Sequence, residues 1–313
     1  MSHANTAKPF PYAFFEGVIV PTEDAKISVM AKVVQYGMGW FGGVRAYVSD
    51  DKKSISIFRL DDHIKRFLNS AKVLGVQIPY DAVQLKDIFM DLTKKNAPQS
   101  DTYYRPFAYA DSTELSPNFI QNGTFAFSVY MIPLGDYIDT SKGNSVCVSS
   151  WRRVSDNAIP SRAKAAGSYV NSALAKQEAV NNGFVEAIEL SDSGEVTEGT
   201  AMNLFIVRDG VLITPSASSD ILEGITRRTV MQIASDMGIP TIERSVDRTE
   251  LYVADEAFFS GTGAQIAWID AIDHRTVGTG KIGPITDKIK KKFFEIVRGK
   301  DTKYASWLTQ ITL

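Results

Sequence analysis

The sequence contains one cysteine and three histidines among its 313 residues. A single cysteine, Cys147, excludes an intramolecular disulfide, and its apolar neighbours predict a buried, inert thiol. His3, His63 and His274 lie far apart along the chain, so no cluster of histidine and cysteine has the spacing that a metal ion requires. We therefore expect no metal site.

The sequence also lacks a strong charge excess and a long apolar run. The formal net charge is -2, from 34 basic and 36 acidic residues, which does not favour binding to a nucleic acid backbone. No apolar run approaches the roughly 20 residues that span a bilayer. The N-terminal residues 1–15 carry two prolines and no continuous apolar core, unlike a signal peptide. We expect a cytoplasmic protein with neither nucleic acid nor membrane as a partner.

The composition is that of an ordinary globular protein, with 44% hydrophobic and 22% charged residues. The length favours two domains. Apolar residues at helical or alternating spacing predict the main elements. Helices are predicted at 61–74, 83–95, 172–181, 225–237 and 285–297. Strands are predicted at 44–48, 55–58, 103–110, 124–132, 145–151, 186–190, 195–198, 203–207, 211–214, 257–260 and 265–270.

The stretch from Pro133 to Asn144 has the composition of a connector between domains. We predict a smaller α/β domain over 1–132, a connector over 133–145 and a larger domain over 146–313. Strands and helices alternate irregularly along the chain. This alternation favours an α+β fold with mixed sheets and flanking helices over a doubly wound parallel sheet.

One lysine and one glutamate stand out in the second half of the chain. Lys164 lies among small residues, in SRAKAAGSYVN at 161–171, where a planar ring would have room over the backbone. Glu198 ends a predicted strand just before Gly199, where a carboxylate is suited to pair with a protonated ring nitrogen. Taken singly, the two segments are more typical of a surface lysine and an exposed hairpin glutamate.

Two loops have the character of anion-binding sites. The segment Leu222–Arg227 opens a helix, so the amides of Ile225 and Thr226 lie at its positive end. The segment Ser260–Ala264 has the small residues that let a backbone approach a phosphate. Each loop is also compatible with a simple turn.

Together, these four features match the requirements of pyridoxal phosphate. The aldehyde of this cofactor forms a Schiff base with a lysine, and its ring nitrogen needs a charged partner. Its phosphate needs backbone amides, hydroxyl groups and an arginine. The sequence therefore predicts a pyridoxal phosphate site that depends on Lys164 and Glu198.

A glycine pattern near the C-terminus resembles that of a dinucleotide site, but its position in the sequence argues against one. The segment Gly278–Gly283 matches the GxGxxG pattern of dinucleotide-binding proteins. It lies too close to the end of the sequence for a complete nucleotide-binding unit to follow. We predict a turn before the last helix instead.

The sequence resembles the fold-type IV pyridoxal phosphate enzymes, and within them most of all the branched-chain amino acid aminotransferases. The resemblance extends from about Lys26 to Lys291 and depends on several motifs in a fixed order. These motifs are Tyr36-Gly37, Phe41-Gly42-Gly43-Val44-Arg45, His63-Ile64-Lys65-Arg66, Tyr103-Tyr104-Arg105-Pro106, Lys164 with Tyr169-Val170-Asn171, Glu198-Gly199 with Asn203, Gly224-Ile225-Thr226-Arg227 and Gly261-Thr262. The resemblance implies a two-domain fold like that of D-amino acid aminotransferase, with the larger domain binding the cofactor.

The resemblance also assigns roles to individual residues. Lys164 would hold the cofactor and carry the proton, Glu198 would bind the ring nitrogen, and Tyr169 would reach the phenolic oxygen. The remaining cofactor-binding residues, most of them at the phosphate, would be Arg66, Asn203, Gly224, Ile225, Thr226 and Thr262. The substrate pocket would take Tyr36, Phe41, Gly43, Arg45, Tyr103, Arg105, Tyr137, Thr262 and Gly263.

The aromatic rings and arginines of this pocket resemble the pattern for branched-chain L-amino acids, with 2-oxoglutarate as acceptor in a ping-pong reaction. Three positions depart from the family. Gly42 stands where glutamate is usual, Trp40 is a bulky neighbour, and Gly263 stands where alanine is commoner. These departures leave room for aromatic or primary-amine donors.

The alternatives are other activities of the same fold and one protein of another class. An (R)-amine or D-amino acid transaminase is the main rival, and an aminodeoxychorismate lyase is a further one. A ligand-binding protein without activity would not need both Lys164 and Glu198. The resemblance further implies a homodimer or a larger homo-oligomer acting on a small-molecule amino donor and a keto acid acceptor.

Overall fold

The computed structural model describes residues 8–119 and 123–313. The contacts along the chain divide it into two compact units. The first contains the described residues up to Tyr137, together with Ala163–Gly167 and Glu295–Leu313, and the second contains Ile138–Arg162 and Ser168–Phe294. Within the described ranges, no helix combines the length and the apolar character that crossing a membrane would require.

Seventeen strands and six α-helices are found in the described residues. The strands are β1 (Tyr12–Phe15), β2 (Val18–Pro21), β3 (Gly39–Phe41), β4 (Val44–Val48), β5 (Ser54–Phe58), β6 (Thr102–Tyr109), β7 (Ala126–Pro133), β8 (Asn144–Arg152), β9 (Glu186–Leu190), β10 (Val196–Gly199), β11 (Asn203–Arg208), β12 (Val211–Thr214), β13 (Thr241–Glu243), β14 (Glu256–Gly261), β15 (Gln265–Ile272), β16 (Arg275–Thr276) and β17 (Leu308–Thr312). The helices are α1 (Lys32–Tyr36), α2 (Leu60–Leu74), α3 (Ala82–Asn96), α4 (Tyr169–Asn181), α5 (Ile225–Asp236) and α6 (Pro284–Val297).

The first unit is built on an eight-stranded sheet in the order β17-β5-β4-β6-β7-β1-β2, with β3 paired to β6. Its neighbouring strands run antiparallel. Helix α2 buries Ile64, Phe67 and Ala71, which share one face at helical spacing. Helix α3 begins with a capping box in which Asp81 and Gln84 satisfy each other's backbone amides. These helices and the sheet enclose one apolar core.

The second unit contains a nine-stranded mixed sheet in the order β10-β9-β8-β15-β14-β11-β12-β13, with β16 on β15. The pairs β8–β9, β8–β15 and β12–β13 are parallel, and the others are antiparallel. Because β10 also pairs with β11, the strands from β10 through β9, β8, β15 and β14 to β11 form a closed ring. The apolar core of this unit is separate from that of the first.

The glycine pattern at 278–283 leads into helix α6, as the sequence predicts. The carboxylate of Glu256, on β14, accepts hydrogen bonds from the amides of Ile285 and Thr286 at 3.0 and 2.7 Å. It also accepts one from the Thr286 hydroxyl at 2.6 Å. The positive end of α6 is therefore occupied by a side chain of the protein itself, which leaves no cradle for a nucleotide phosphate.

The chain returns to the first unit after residue 294. Strand β17 pairs with β5 over five positions, from Leu308 opposite Phe58 to Thr312 opposite Ser54. The sequence placed all of 146–313 in the second domain, and it missed this return because β17 is short and its partner lies far away in the chain. The first boundary between the two units falls between Tyr137 and Ile138.

Candidate active site

Lys164 belongs to a short segment of the first unit and has an unusual backbone conformation. Two single 3-10 turns, Ser161–Ala163 and Ala166–Ser168, flank it. Its φ is 46°, in the left-handed region that residues with a Cβ rarely adopt. Such conformations are often kept at functional sites because the surroundings hold them in place. The side chain is half-buried.

Strand β3 holds the Lys164 segment in place. The amide of Phe41 donates to the Lys164 carbonyl at 3.3 Å, and Trp40 forms an antiparallel bridge with Ala165. Trp40 is fully buried. Its indole nitrogen donates to the Phe67 carbonyl at 3.0 Å, and its ring packs against the Phe67 ring. Trp40 is therefore an anchor of β3 in the core. This buried position differs from the expectation that it reshapes the pocket entrance.

Four of the predicted substrate residues lie together next to Lys164 in the first unit. The Lys164 Nζ atom lies 5.2 Å from the centroid of the Phe41 ring, and the Arg105 guanidinium carbon lies 4.5 Å from the same centroid. Arg105 also donates to the Tyr103 hydroxyl at 3.3 Å. A Cβ on Gly43 would stand 2.0 Å from that hydroxyl, so only glycine leaves room for Tyr103. An amine, a cation and two aromatic rings thus form one cluster.

Arg45 is buried and contacts the main chain. Its Nη2 atom donates to the carbonyls of Leu134 and Gly135 at 3.0 and 2.9 Å, just after β7 ends. These contacts fix the start of the segment that carries Tyr137. Tyr137 and Tyr36 are both exposed, at 54% and 41%. Arg66, predicted at the phosphate, is half-buried on α2.

The departure at Gly42 has a local packing partner. The Gly42 amide donates to the Pro106 carbonyl at 2.8 Å. A Cβ at this position would stand 2.7 Å from Cγ of Pro106, so a glutamate would require that ring to shift. The absence of a carboxylate at 42 therefore agrees with how β3 and β6 pack in this chain.

Glu198 is the centre of a second cluster, in the second unit. It is buried at the end of β10 and faces Asn203 across the β10–β11 pairing. Its carboxylate is 2.9 Å from the Arg153 guanidinium, accepts from Asn203 Nδ2 at 2.8 Å and accepts from the Leu222 amide at 3.3 Å. An adjacent cation and these donors favour the charged carboxylate. The exposed-hairpin interpretation of Glu198 is wrong.

Asn203 connects this carboxylate to the start of helix α5. Its amide also donates to the Leu222 carbonyl at 2.9 Å, and a Cβ on Gly224 would stand 2.0 Å from its Oδ1 atom. Gly224 precedes α5 in an extended conformation, and none of the side chains that the structure describes caps the helix there. The amides of Ile225 and Thr226 thus lie at an uncapped positive helix end.

The second predicted anion loop follows β14. Thr262 and Gly263 are half-buried, and Ser260 stands opposite Asn203 in the β11–β14 register, so both side chains lie on one face. The Ser260 hydroxyl is buried and has no hydrogen-bond partner among the residues that the structure describes. An orphan hydroxyl near an uncapped helix start fits an anionic group, and these residues therefore suit the phosphate of pyridoxal phosphate.

Two residues of the second cluster were missed by the sequence interpretation. Arg153 follows β8, and Glu189 lies within β9, 3.3 Å from Arg153. Burial lowers the pKa of Arg153, but Glu198 and Glu189 outweigh it and raise the pKa overall. Burial raises the pKa of Glu189 to about 7, and Arg153 opposes this only in part. No local sequence pattern marks this pair, because Arg153 and Glu189 are 36 residues apart in the sequence.

Tyr169, the first residue of α4, also contributes to the raised pKa of Arg153 and therefore lies near this cluster. A half-buried lysine in a constrained loop, a buried carboxylate and an uncapped helix start are the components of a pyridoxal phosphate enzyme. Together with the α+β fold, they define the class of protein to which this chain corresponds.

Comparison with known proteins identifies the family. Residues 43–272 match the model of the class IV aminotransferases. A probable branched-chain-amino-acid aminotransferase of Aquifex aeolicus is 44% identical over 301 residues, which cover 96% of each chain. The chain belongs to the class IV aminotransferases.

Solved structures agree with this assignment. The branched-chain aminotransferase of Thermoproteus uzoniensis, solved with norvaline, has a TM-score of 0.92 and 42% identity, over 97% of this chain and 99% of that one. The branched-chain amino acid aminotransferase of Thermobaculum terrenum, solved in its pyridoxal phosphate form, has a TM-score of 0.91 and 35% identity, over 97% and 99% of the two chains. The predicted family, fold class, enzyme class and cofactor are thereby confirmed. The protein is a pyridoxal phosphate-dependent aminotransferase that acts on an amino donor and a keto acid.

Proposed function

We propose that this aminotransferase moves the amino group of leucine, isoleucine and valine to 2-oxoglutarate by a ping-pong mechanism. The observation that carries the proposal is the cluster next to Lys164. The Phe41 ring lies 5.2 Å from the lysine amine and 4.5 Å from the Arg105 guanidinium, so a nucleophile and a cation lie near one apolar ring. This arrangement suits a substrate with an aliphatic side chain and a carboxylate. The identity to the Aquifex aeolicus relative supports the same substrate class.

Bound pyridoxal phosphate supplies an electron-accepting ring that makes the bonds at the substrate α-carbon labile. Lys164 would hold the cofactor through its amine and would move the proton at the substrate α-carbon. Glu198 would keep the ring nitrogen protonated, and Tyr169 would donate to the phenolic oxygen. Arg66, Thr262 and the amides of Ile225 and Thr226 would bind the phosphate, with Asn203 and Gly224 shaping that loop.

The rest of the substrate pocket is proposed from the same family pattern. Arg105 and the amides at Thr262 and Gly263 take the carboxylates, while Tyr36, Gly43, Tyr103 and Tyr137 enclose the side chain. We propose that Arg45 contributes by fixing the segment before Tyr137, since its guanidinium donates to two carbonyls there. Glycine at 42 places no negative charge near Arg105 from that position, and this departure from the family supports a wider donor range, including aromatic or primary amines.

Visible absorption tests the proposal directly. Purified protein loaded with cofactor is expected to show a yellow band that bleaches on addition of L-leucine and returns on addition of 2-oxoglutarate. Lys164→Ala should fail to complete the cycle, and Lys65→Ala, an exposed lysine on α2, serves as the control. A band indifferent to L-leucine but bleached by D-alanine or an (R)-amine would assign the rival specificity. Release of pyruvate from aminodeoxychorismate without an acceptor would indicate a lyase.

A homodimer is also proposed. Val29, Met30 and Val34, in and before α1, are exposed at 75%, 60% and 54%. Exposed apolar residues that lie this close in sequence support a surface that a second copy would cover. Light scattering of the purified protein measures the assembly, and a monomer at micromolar concentration would contradict the proposal.

A further inference from the structure

Strand β9 contains two glutamates with no exposed surface, Glu186 and Glu189. Glu186 is well paired: it accepts from Lys176 Nζ at 2.9 Å, from the Thr200 hydroxyl at 2.7 Å and from the Ala187 amide at 2.9 Å. Glu189 contacts Arg153 through Oε2 at 3.3 Å, and its Oε1 has no hydrogen-bond partner among the described residues. A buried carboxylate with so little pairing costs stability, which calls for another reason for its presence.

That reason is the guanidinium that Glu189 shares with Glu198. Arg153 lies 2.9 Å from Glu198 and 3.3 Å from Glu189. It also donates to the Ser172 hydroxyl at 3.3 Å and the Asp220 carbonyl at 3.4 Å, so its position is fixed from several sides. One cation therefore serves two buried carboxylates. When both are ionised the group carries one net negative charge, and when Glu189 is protonated it carries none.

We propose that Glu189 is a positioning residue that, by competing for Arg153, sets the negative charge that Glu198 presents to the ring nitrogen of pyridoxal phosphate. The inference rests on the role proposed above for Glu198. With Glu189 ionised, Arg153 is shared and Glu198 remains effectively anionic, so the ring nitrogen keeps its proton to a higher pH. With Glu189 neutral, Arg153 is left to neutralise Glu198 and the ring nitrogen loses its proton more easily.

The charged groups that face Glu189 come from each neighbouring element. They are Arg153 after β8, Glu198 on β10, and Glu186 on the same strand, while Tyr169 at the start of α4 acts on Arg153. Burial is the largest influence and raises the pKa of Glu189 to about 7. The two glutamates add to this shift and Arg153 opposes it. The net charge of the group therefore changes near neutral pH.

The test is the 15N chemical shift of the ring nitrogen in 15N-labelled pyridoxal phosphate bound to the protein, followed against pH without substrate. Glu189→Gln is expected to lower the titration midpoint of the ring nitrogen by about one pH unit. Glu189→Leu, which removes the charge with an apolar side chain, should act in the same way if the glutamine variant folds poorly. Glu189→Asp keeps a carboxylate and should restore part of the shift.

Two further variants separate the possible failures. Glu186→Gln removes a buried carboxylate from the same strand without touching Arg153, and should leave the midpoint within a few tenths of a unit. Glu198→Gln should leave the ring nitrogen unprotonated across the range. A wild-type midpoint in Glu189→Gln and Glu189→Leu, with the expected loss in Glu198→Gln, would overturn the inference alone. A protonated ring nitrogen in Glu198→Gln would overturn the proposed role of Glu198 itself.

Discussion

At the scale of single residues, the poor pairing of Glu189 has a consequence for stability that does not involve the cofactor. Its pKa is about 7 in the folded protein, against an ordinary value of 4.5. As the pH rises from 4.5 to 7, the unfolded chain loses this proton first. The contribution of Glu189 to the free energy of unfolding therefore falls across that range and is constant above it.

We expect Glu189→Gln to lack this fall. Both proteins are compared without cofactor. The free energy of unfolding of the variant minus that of wild type should rise by on the order of 2 to 3 kcal/mol from pH 5 to pH 8. Urea denaturation at the two pH values measures the difference. Glu186→Gln, which loses the ion pair with Lys176 and one of its two acceptor oxygens, should instead be destabilised. Equal pH dependence in Glu189→Gln and wild type would show that Glu189 titrates normally.

The residues of the candidate site differ in how far the sequence could predict them. Glu198 and the start of α5 were predicted because each belongs to a short local pattern that resembles the family. Arg153 and Glu189 were missed because their contact joins the end of β8 to β9, residues that are 36 apart in the sequence. Local spacing carries no information about such a pair. The left-handed conformation of Lys164 was equally hidden, since lysine rarely adopts it.

At the scale of elements, helix α6 depends on a cap supplied by a strand. The Glu256 carboxylate satisfies two of its first amides and a hydroxyl, and it is buried. Hydrogen bonds that backbone amides donate to a buried carboxylate are stronger than neutral ones, and the negative charge also interacts favourably with the helix dipole.

We expect Glu256→Ala to lower the free energy of unfolding by about 2 to 4 kcal/mol, because the amides of Ile285 and Thr286 lose their acceptor in a buried setting. Denaturant unfolding measures the loss, and hydrogen exchange should show faster exchange at the first turn of α6. Asp287→Asn is the matched control, since that carboxylate pairs with exposed Lys291 on the same helix and its loss should cost about 0.5 kcal/mol or less. A loss of similar size in both variants would contradict this account.

Long elements with a regular pattern were predicted closely. The helices predicted at 61–74 and 83–95 are observed as Leu60–Leu74 and Ala82–Asn96. Strands β1 and β2, helix α1 and strand β17 were not predicted. Each has only four or five residues, too few to show a period. Strands β1 and β17 and helix α1 are hydrogen-bonded to distant parts of the chain, whereas β2 pairs with its neighbour β1.

At the scale of the whole molecule, the return of the chain to the first unit covers the outer edge of β5. Ile311 of β17 is buried in the core of that unit, while the adjacent Thr312 is exposed. An uncovered edge strand with alternating isoleucines, as in Ser54–Phe58, would be a template for pairing with other chains.

Ile311→Ala is expected to lower the free energy of unfolding by about 2 to 4 kcal/mol, from lost burial and the cavity left behind. Hydrogen exchange at the β5 amides should accelerate, and the protein should aggregate more readily on heating. Thr312→Ala changes an exposed residue of the same strand and should stay within about 0.5 kcal/mol of wild type. Unchanged β5 exchange in Ile311→Ala would show that β17 does not protect this edge.

The closed ring of strands in the second unit also fixes the order in which that unit can be completed as the chain is synthesised. Strand β8 is made early, but its parallel neighbour β15 comes much later, and the Asn144 side chain reaches the Trp268 carbonyl across 124 residues. Until β15 emerges from the ribosome, one edge of β8 stays unpaired and the ring stays open. Glu198 and its neighbours are thus synthesised well before the ring of strands around them is complete. Until then, the unpaired edge of β8 is protected only by chaperones or by rapid completion of synthesis.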